Sequence, residues 1–200
     1  MPQGIESSNL SASAMFKIDR RKIKRKLKPS KNFFLSLAGS IIYQQISTSA
    51  GDAIYARFVN LFGRKRPNPE SFLSISEANL RSAGLSPQKI SYLRDLAKKF
   101  IDKTINPKLI SKMSDSDVKE HLVRVKGIGP WTADMFLIFA LNRPNILPVG
   151  DLGIKKGFKK IFGLKTLPNE KKMRFLAKSN EGRHTYLSLY LWESLNGDKN

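Results

Sequence analysis

Two glycines and one carboxylate are the residues of this chain best placed to do chemistry. Gly127 and Gly129 lie in Lys126-Gly127-Ile128-Gly129-Pro130, between two segments of helical periodicity, and Asp151 closes the stretch that begins at Leu122. Glycines at this spacing allow a tight turn with positive φ and let a foreign backbone approach closely. Pro130 suits the first position of the next helix. With no side chains in the way, the amides of Gly127, Ile128 and Gly129, and of the first helical turn at Thr132, can point at a phosphate in the field of a helix N-terminus. Lys126 adds a positive charge beside them. Such contacts grip a nucleic-acid backbone without reading its sequence. Two glycines alone would equally suit an ordinary helix corner. Asp151 also has two readings: the fixed anion of a reaction centre, or the N-cap of the following helix, the commoner role for an aspartate so placed.

Charge says what the partner is. The chain has 36 Lys and Arg against 16 Asp and Glu, a net +20 with a pI near 10.3. A polyanion, nucleic acid first, is the partner such an excess favours. Nine of the basic residues and one acid fall between Lys17 and Lys31; outside that run 27 basic residues still face 15 acidic ones. A merely solubilising surface would carry this much self-repulsion for no gain. A membrane-surface role is weaker still, because the basic run lacks a bulky apolar face.

Other chemistries are excluded. The 200 residues contain no cysteine, so disulfides, thiolate nucleophiles, Cys-ligated zinc and iron-sulfur clusters cannot form. The two histidines, His121 and His184, have no ligand spacing around them, so a protein-ligated transition metal is not expected. No apolar run approaches the roughly 18 residues of a membrane span, and no secretory h-region is present. The expected location is intracellular, with the DNA, in cytoplasm, nucleoid or nucleus. No oligomerisation signal is visible, and a monomer is expected.

The elements that must position these residues are helical. Residues 1–31 read as a flexible basic extension, Ser-rich and aperiodic up to residue 14, and 32–200 as a single all-α domain. Phe33, Phe34, Leu37, Ile41 and Ile42 share one face of a first helix; a second, about 50–62, carries Ala53, Ile54, Ala56, Phe58 and Leu61. Further helices are predicted at 76–83, from Ser86-Pro87 to about Asp102, from the Ser114 cap to Arg124, and at 131–141, 152–162, 170–178 and 183–195. Segment 131–141, apolar on nearly every face, should be the buried central helix. The last helix should turn Tyr186, Leu189, Tyr190 and Trp192 to the core. Strand signals are nearly absent, giving eight to ten helices in all.

Val125-Lys126-Gly127-Ile128-Gly129-Pro130-Trp131-Thr132-Ala133 followed by Leu147-Pro148-Val149-Gly150-Asp151-Leu152-Gly153 resembles the helix-hairpin-helix (HhH-GPD) DNA glycosylases, most closely the DNA-3-methyladenine glycosylase II branch. Ile42-Tyr43-Gln44-Gln45-Ile46-Ser47 and Ala83-Gly84-Leu85-Ser86, with Lys89 and Tyr92-Leu93, support it. The resemblance covers the chain from about Phe33 onward. It implies a two-lobed all-α fold with the active-site cleft between the lobes. It implies base flipping and hydrolysis of the N-glycosidic bond of alkylated purines such as 3-methyladenine and 7-methylguanine, leaving an abasic site.

Roles carry over residue by residue. Asp151 would be the catalytic anion, and Trp131, Met135 and His184 would line the base pocket. Lys126, Gly127, Ile128, Gly129 and Thr132 would hold DNA, and Gln45, Ile46 and Ser47 would form the wedge loop. The resemblance also implies a monovalent cation, Na⁺ or K⁺, on the carbonyls of Val123, Val125 and Ile128, with no cofactor required. Lyase-type members carry a lysine where this chain has Trp131, so monofunctional hydrolysis is expected. Relatives usually have an arginine eight residues before the helix tryptophan; here that position is His184, with Arg183 one earlier, and Gly150 stands where many have a second acid. Two alternatives remain at this level: a non-enzymatic helix-hairpin-helix DNA-binding module, and a lyase-type glycosylase of oxidised bases.

Overall fold

The computed structural model of the chain describes residues 16, 18, 23 and 26–196. Among these residues all regular structure is helical: eleven α-helices and one 3-10 turn. They form two compact units, Pro29–Leu141 and Asn142–Asn200 with the residues before Pro29. No described helix is long and apolar enough to cross a membrane.

In the first unit, α1 (Phe33–Ile42), α2 (Thr48–Asn60), α3 (Pro69–Leu73), α4 (Glu77–Ser82) and α5 (Pro87–Ile101) build the core. Phe34, Leu37, Ile41 and Ile42 of α1, Phe58 of α2, Phe72 of α3, Leu80 of α4 and Ile90, Leu93 and Leu96 of α5 are all buried. Phe34 packs edge-on against Phe100 at 5.7 Å between centroids and tilted against Phe72 at 6.0 Å, geometries that suit the ring quadrupole. Three further helices, α6 (Pro107–Ile110), α7 (Asp115–Leu122) and α8 (Pro130–Phe139), complete the unit.

Local chemistry sets the starts. Asn32, Ser47, Asn68, Ser76, Ser86, Asn106 and Ser114 each accept a first-turn amide with their side chains. The sequence expectations miss α3 and α6, which are five and four residues long. Helices that short show no periodicity, although Asn68-Pro69 and Asn106-Pro107 carry the same cap-then-proline signal as Ser86-Pro87. Only Gly51 and Phe58 of α2 are buried, and Ala53 and Ala56 face solvent, since the helix covers the core with one narrow edge. Helix α8 is buried at Thr132, Ala133, Asp134, Phe136, Leu137 and Ile138, but Trp131 is 46% exposed, so it is not wrapped on all sides as its composition suggests.

The second unit contains α9 (Leu152–Ile161), α10 (Glu170–Ala177), the 3-10 turn Lys178–Asn180 and α11 (His184–Asn196). Leu147, Ile154, Phe158, Met173, Leu176, Ala177, Leu187 and Leu191 are its core. The buried face of α11 is Thr185, Leu187, Ser188, Leu189 and Leu191, whereas Tyr186, Tyr190 and Trp192 are only half-buried, at the margin of the face expected to hold them. At Gly157 a Cβ would lie 2.8 Å from the Leu191 carbonyl oxygen, so glycine lets α9 press directly on the α11 backbone. The 1–31 extension is described only at 16, 18, 23 and 26–31; residues 1–15, including the stretch expected to lack order, lie outside the described residues. Phe16 and Ile18 pack on the second-unit core, Phe16 at 5.0 Å from the Phe162 ring, and Asn180 donates to the Phe16 carbonyl while accepting from the Ile18 amide.

Candidate functional site

The hairpin follows α7 without a break. Val125 donates to Leu122 O and Ile128 to Val125 O at 3.0 and 3.1 Å, folding the chain back into α8. Gly127 has φ +81°, and a Cβ there would lie 2.1 Å from Cδ2 of Tyr92, so both the backbone and the ring behind it require glycine. Gly129 is different. Its φ of −98° and ψ of 178° suit any residue, and a Cβ would meet nothing within 4 Å. No internal contact calls for glycine at 129; its missing side chain leaves the N-terminus of α8 approachable, where Gly129 provides no side-chain cap and Pro130 occupies the first turn.

Side chains from elsewhere in the unit brace the turn from behind. Gln44 Nε2 donates to the Gly127 carbonyl at 2.8 Å and reaches Thr132 Oγ1 at 3.5 Å. Asp95 of α5 accepts the Lys126 amide at 2.8 Å. Lys119 of α7 pairs with Asp134 of α8, an ion pair tying together the helices on either side of the hairpin. Residues 123–129 line a shallow concavity. Of the carbonyls expected to take a cation, Val125 accepts from Ile128 and has a second lone pair, while Val123 is the C-cap of α7.

The expected wedge turn is in the same unit. Gln45 is exposed with φ +57°, and Ile46 is 36% exposed. Ser47 caps α2, accepting from the Ala50 amide at 3.3 Å, so its hydroxyl serves the helix. Tyr43 donates to Asp52, and that bond raises its phenol pKa to about 12. Lys89 donates to the Ile42 carbonyl at 2.6 Å, and burial lowers its pKa below the ordinary lysine value. On α8, Trp131 and Met135 are one turn apart on one side, exposed and half-buried respectively.

Asp151 belongs to the second unit. It caps α9 as its bland reading requires, with Oδ1 accepting the Ile154 amide at 2.8 Å. The same oxygen accepts Trp192 Nε1 at 2.9 Å from the facing helix α11. The Asp151 amide donates to the Pro148 carbonyl at 2.9 Å, closing the turn that presents the side chain. His184 is eight residues before Trp192, about 12 Å along the helix axis. Its Nε2 lies 3.2 Å from the Ala177 carbonyl, so that nitrogen carries the proton and joins α11 to the end of α10. The structure therefore brings together Lys126, Gly127, Ile128, Gly129 and Thr132 in one unit and Asp151 with Trp192 in the other. Sequence reasoning missed the braces Asp95 and Lys119, the bond from Gln44 to the hairpin, and Trp192 as a donor. Polar amides interrupting an apolar pattern at Gln44 and Gln45 were the one local hint.

The described residues thus form an all-helical fold in which a glycine-turned hairpin opens an apolar helix and a capped aspartate follows one element later. The chain belongs to the HhH-GPD superfamily of base excision DNA repair proteins, whose pattern matches residues 38–180. It is 42% identical over 137 residues to a DNA-3-methyladenine glycosylase of Saccharomyces cerevisiae, an alignment covering 64% of this chain and 46% of that protein. The structure of a DNA-3-methyladenine glycosidase from Bacillus halodurans superposes with a TM-score of 0.79 at 32% identity, covering 94% of this chain and 89% of the other. The Schizosaccharomyces pombe 3-methyladenine DNA glycosylase in complex with abasic DNA gives 0.77 at 27% identity, covering 95% and 97%. The chain spans about half the length of the first curated relatives it matches, 56% of one from Bacillus subtilis and 46% of the S. cerevisiae protein.

Proposed function

We propose that this protein is a monofunctional DNA glycosylase that removes alkylated purines, 3-methyladenine and 7-methylguanine among them, from duplex DNA and leaves an abasic site. The observation that carries the reading is the Asp151 carboxylate, fixed by two donors to one oxygen in a chain of this family. Breaking an N-glycosidic bond builds positive charge on the deoxyribose, and a preorganised anion beside C1′ stabilises that charge more in the transition state than in the ground state. Purines alkylated at N3 or N7, as in 3-methyladenine and 7-methylguanine nucleotides, are cationic and leave readily, so the reaction needs no strong general acid.

The remaining parts have assigned tasks. Amides of Gly127, Gly129 and Thr132 hold a phosphate, the Ile128 amide being already bonded to the Val125 carbonyl, with Lys126 adding charge, and a net +20 supplies salt-sensitive affinity. Gln45 and Ile46 fill the gap left by the extruded nucleotide, and Trp131 with Met135 receives the base by stacking. The carbonyls of Val123, Val125 and Ile128 would hold a monovalent cation, whose charge would reinforce the phosphate grip; an all-oxygen donor set suits a hard ion.

Incubating the purified protein with methylated duplex DNA and measuring the bases set free tests this reading. Release of 3-methyladenine and 7-methylguanine is expected, and no release contradicts it. Borohydride should trap no covalent adduct, because Trp131 stands where a lyase needs an amine.

A further inference from the structure

Resting on that reading, we propose that Trp192 and Gly153 form, with Asp151, a three-residue clamp that sets the orientation of the reacting carboxylate, Trp192 acting as a positioning residue. An N-cap needs one bond from its side chain to the helix, and the Ile154 amide already supplies it at 2.8 Å. The indole N–H adds a second donor to the same oxygen at 2.9 Å, from a helix 41 residues away in sequence. Helix capping gives no reason for that bond.

Gly153 shows that the chain makes room for it. A Cβ at 153 would lie 2.9 Å from Asp151 Oδ1, 2.9 Å from Trp192 Cδ1 and 3.0 Å from Trp192 Nε1, wedged between donor and acceptor. The φ of Gly153 is not in the left-handed region, so the backbone alone does not demand glycine there. The demand comes from the close approach of the indole to the carboxylate. Two donors converging on one oxygen from different elements fix rotation about the Cβ–Cγ bond, and thereby the direction of the other oxygen. A carboxylate stabilising a cationic sugar works by standing in a fixed place before charge develops, so loss of this clamp should appear in the chemical step.

Replacing Trp192 by Phe and by His separates positioning from packing. Phe keeps an aromatic ring of useful bulk against the second-unit core and has no N–H. The imidazole of His is smaller but can place its Nε2–H where the indole Nε1–H stood. Single-turnover release of 3-methyladenine from methylated duplex, affinity for abasic duplex and melting temperature are measured for both variants and for Gly153→Ala.

A clamp predicts that Trp192→Phe loses about 10- to 100-fold in rate, the range a hydrogen bond to a charged group commands. Trp192→His should be faster than Trp192→Phe although it melts lower, Gly153→Ala should be slowed, and all three should bind abasic DNA within about twofold of the parent, since backbone grip lies elsewhere. Rates that instead follow the melting temperatures, with Phe above His, overturn the proposal, as does a wild-type rate in Trp192→Phe. Absence of release by the parent protein overturns the glycosylase reading itself, and this assignment with it; that result differs from a parent that works and a Phe variant that works equally well.

Discussion

The hairpin at 123–131 and the corner at 148–154 are built in opposite ways. At the hairpin the backbone faces outward and side chains brace it from behind: Tyr92 fills the space beside Gly127, Gln44 takes the Gly127 carbonyl and Asp95 takes the Lys126 amide. At the corner a side chain is presented, and it is held by the Ile154 amide and the Trp192 indole. Backbone amides offered at a glycine turn and a helix N-terminus suit a uniform, repeating ligand such as a phosphate, and they bind without discriminating. A single oriented carboxylate suits one charge appearing at one atom. The difference teaches that substitutions in the first region should act on affinity and those in the second on rate.

Gly127→Ala should have the largest effect on the hairpin side. Its positive φ and the Tyr92 ring both oppose a Cβ, and about 2 kcal/mol of stability should be lost with most of the DNA affinity. Adding Tyr92→Ala should relieve the steric share and leave the backbone share, which thermal melts of the single and double variants would separate. Full stability in Gly127→Ala would remove the argument that Tyr92 shapes the turn. Gln44→Leu comes next. It leaves the Gly127 carbonyl without its amide partner, a loss of about 1 kcal/mol in chemical denaturation, and duplex affinity should fall because the hairpin is less rigid. An unchanged affinity would confine Gln44 to folding.

Gly129→Ala gives the sharpest contrast with Gly127→Ala. With an ordinary φ and nothing within 4 Å of the added Cβ, its stability should stay within about 0.5 kcal/mol of the parent. Affinity for abasic duplex should nevertheless drop several-fold, since the new methyl stands where a phosphate would approach. Equal loss of stability and affinity at 129 would mean the residue serves the fold, as Gly127 does.

The smallest effect concerns the turn that carries Gln44. Tyr43, one residue earlier, has its pKa raised to about 12 by its bond to Asp52. A folded pKa above the unfolded value means that the bond stabilises the fold fully below about pH 10 and ceases to as pH rises through the folded value. Absorbance titration of the phenols should therefore show one late tyrosine that Asp52→Asn brings back toward the ordinary range; no change would mean that Asp52 does not hold Tyr43.

Much of this was legible in the sequence, in the parts that are local. Capping residues before prolines, apolar faces at helical spacing and the glycines of the turn place α1, α5, α7, α9 and α10 close to their ends, and the two functional stretches are contiguous enough to be matched as motifs. What brings Tyr92, Asp95 and Gln44 behind the hairpin is packing between helices dozens of residues apart, and periodicity says nothing of which helix a polar face will meet. Trp192 illustrates the same limit. Its spacing suits a core face, and only the approach of α11 to the start of α9 turns it into a donor to Asp151. The two glycines read alike in sequence as well, whereas the structure separates Gly127, required from within, from Gly129, which nothing inside the unit requires. Phe16 and Ile18 sit among lysines and arginines, and charge density hides two anchors of the second-unit core.

The division between grip and reaction is tested most directly by Asp151→Asn. Asparagine is as good an N-cap as aspartate and offers an Oδ1 to the same two donors, so fold and geometry persist while the charge is removed. Single-turnover release of 3-methyladenine should fall at least 100-fold, or about 2.7 kcal/mol, with affinity for abasic duplex retained. Release at the parental rate, or affinity lost together with release, would contradict the account.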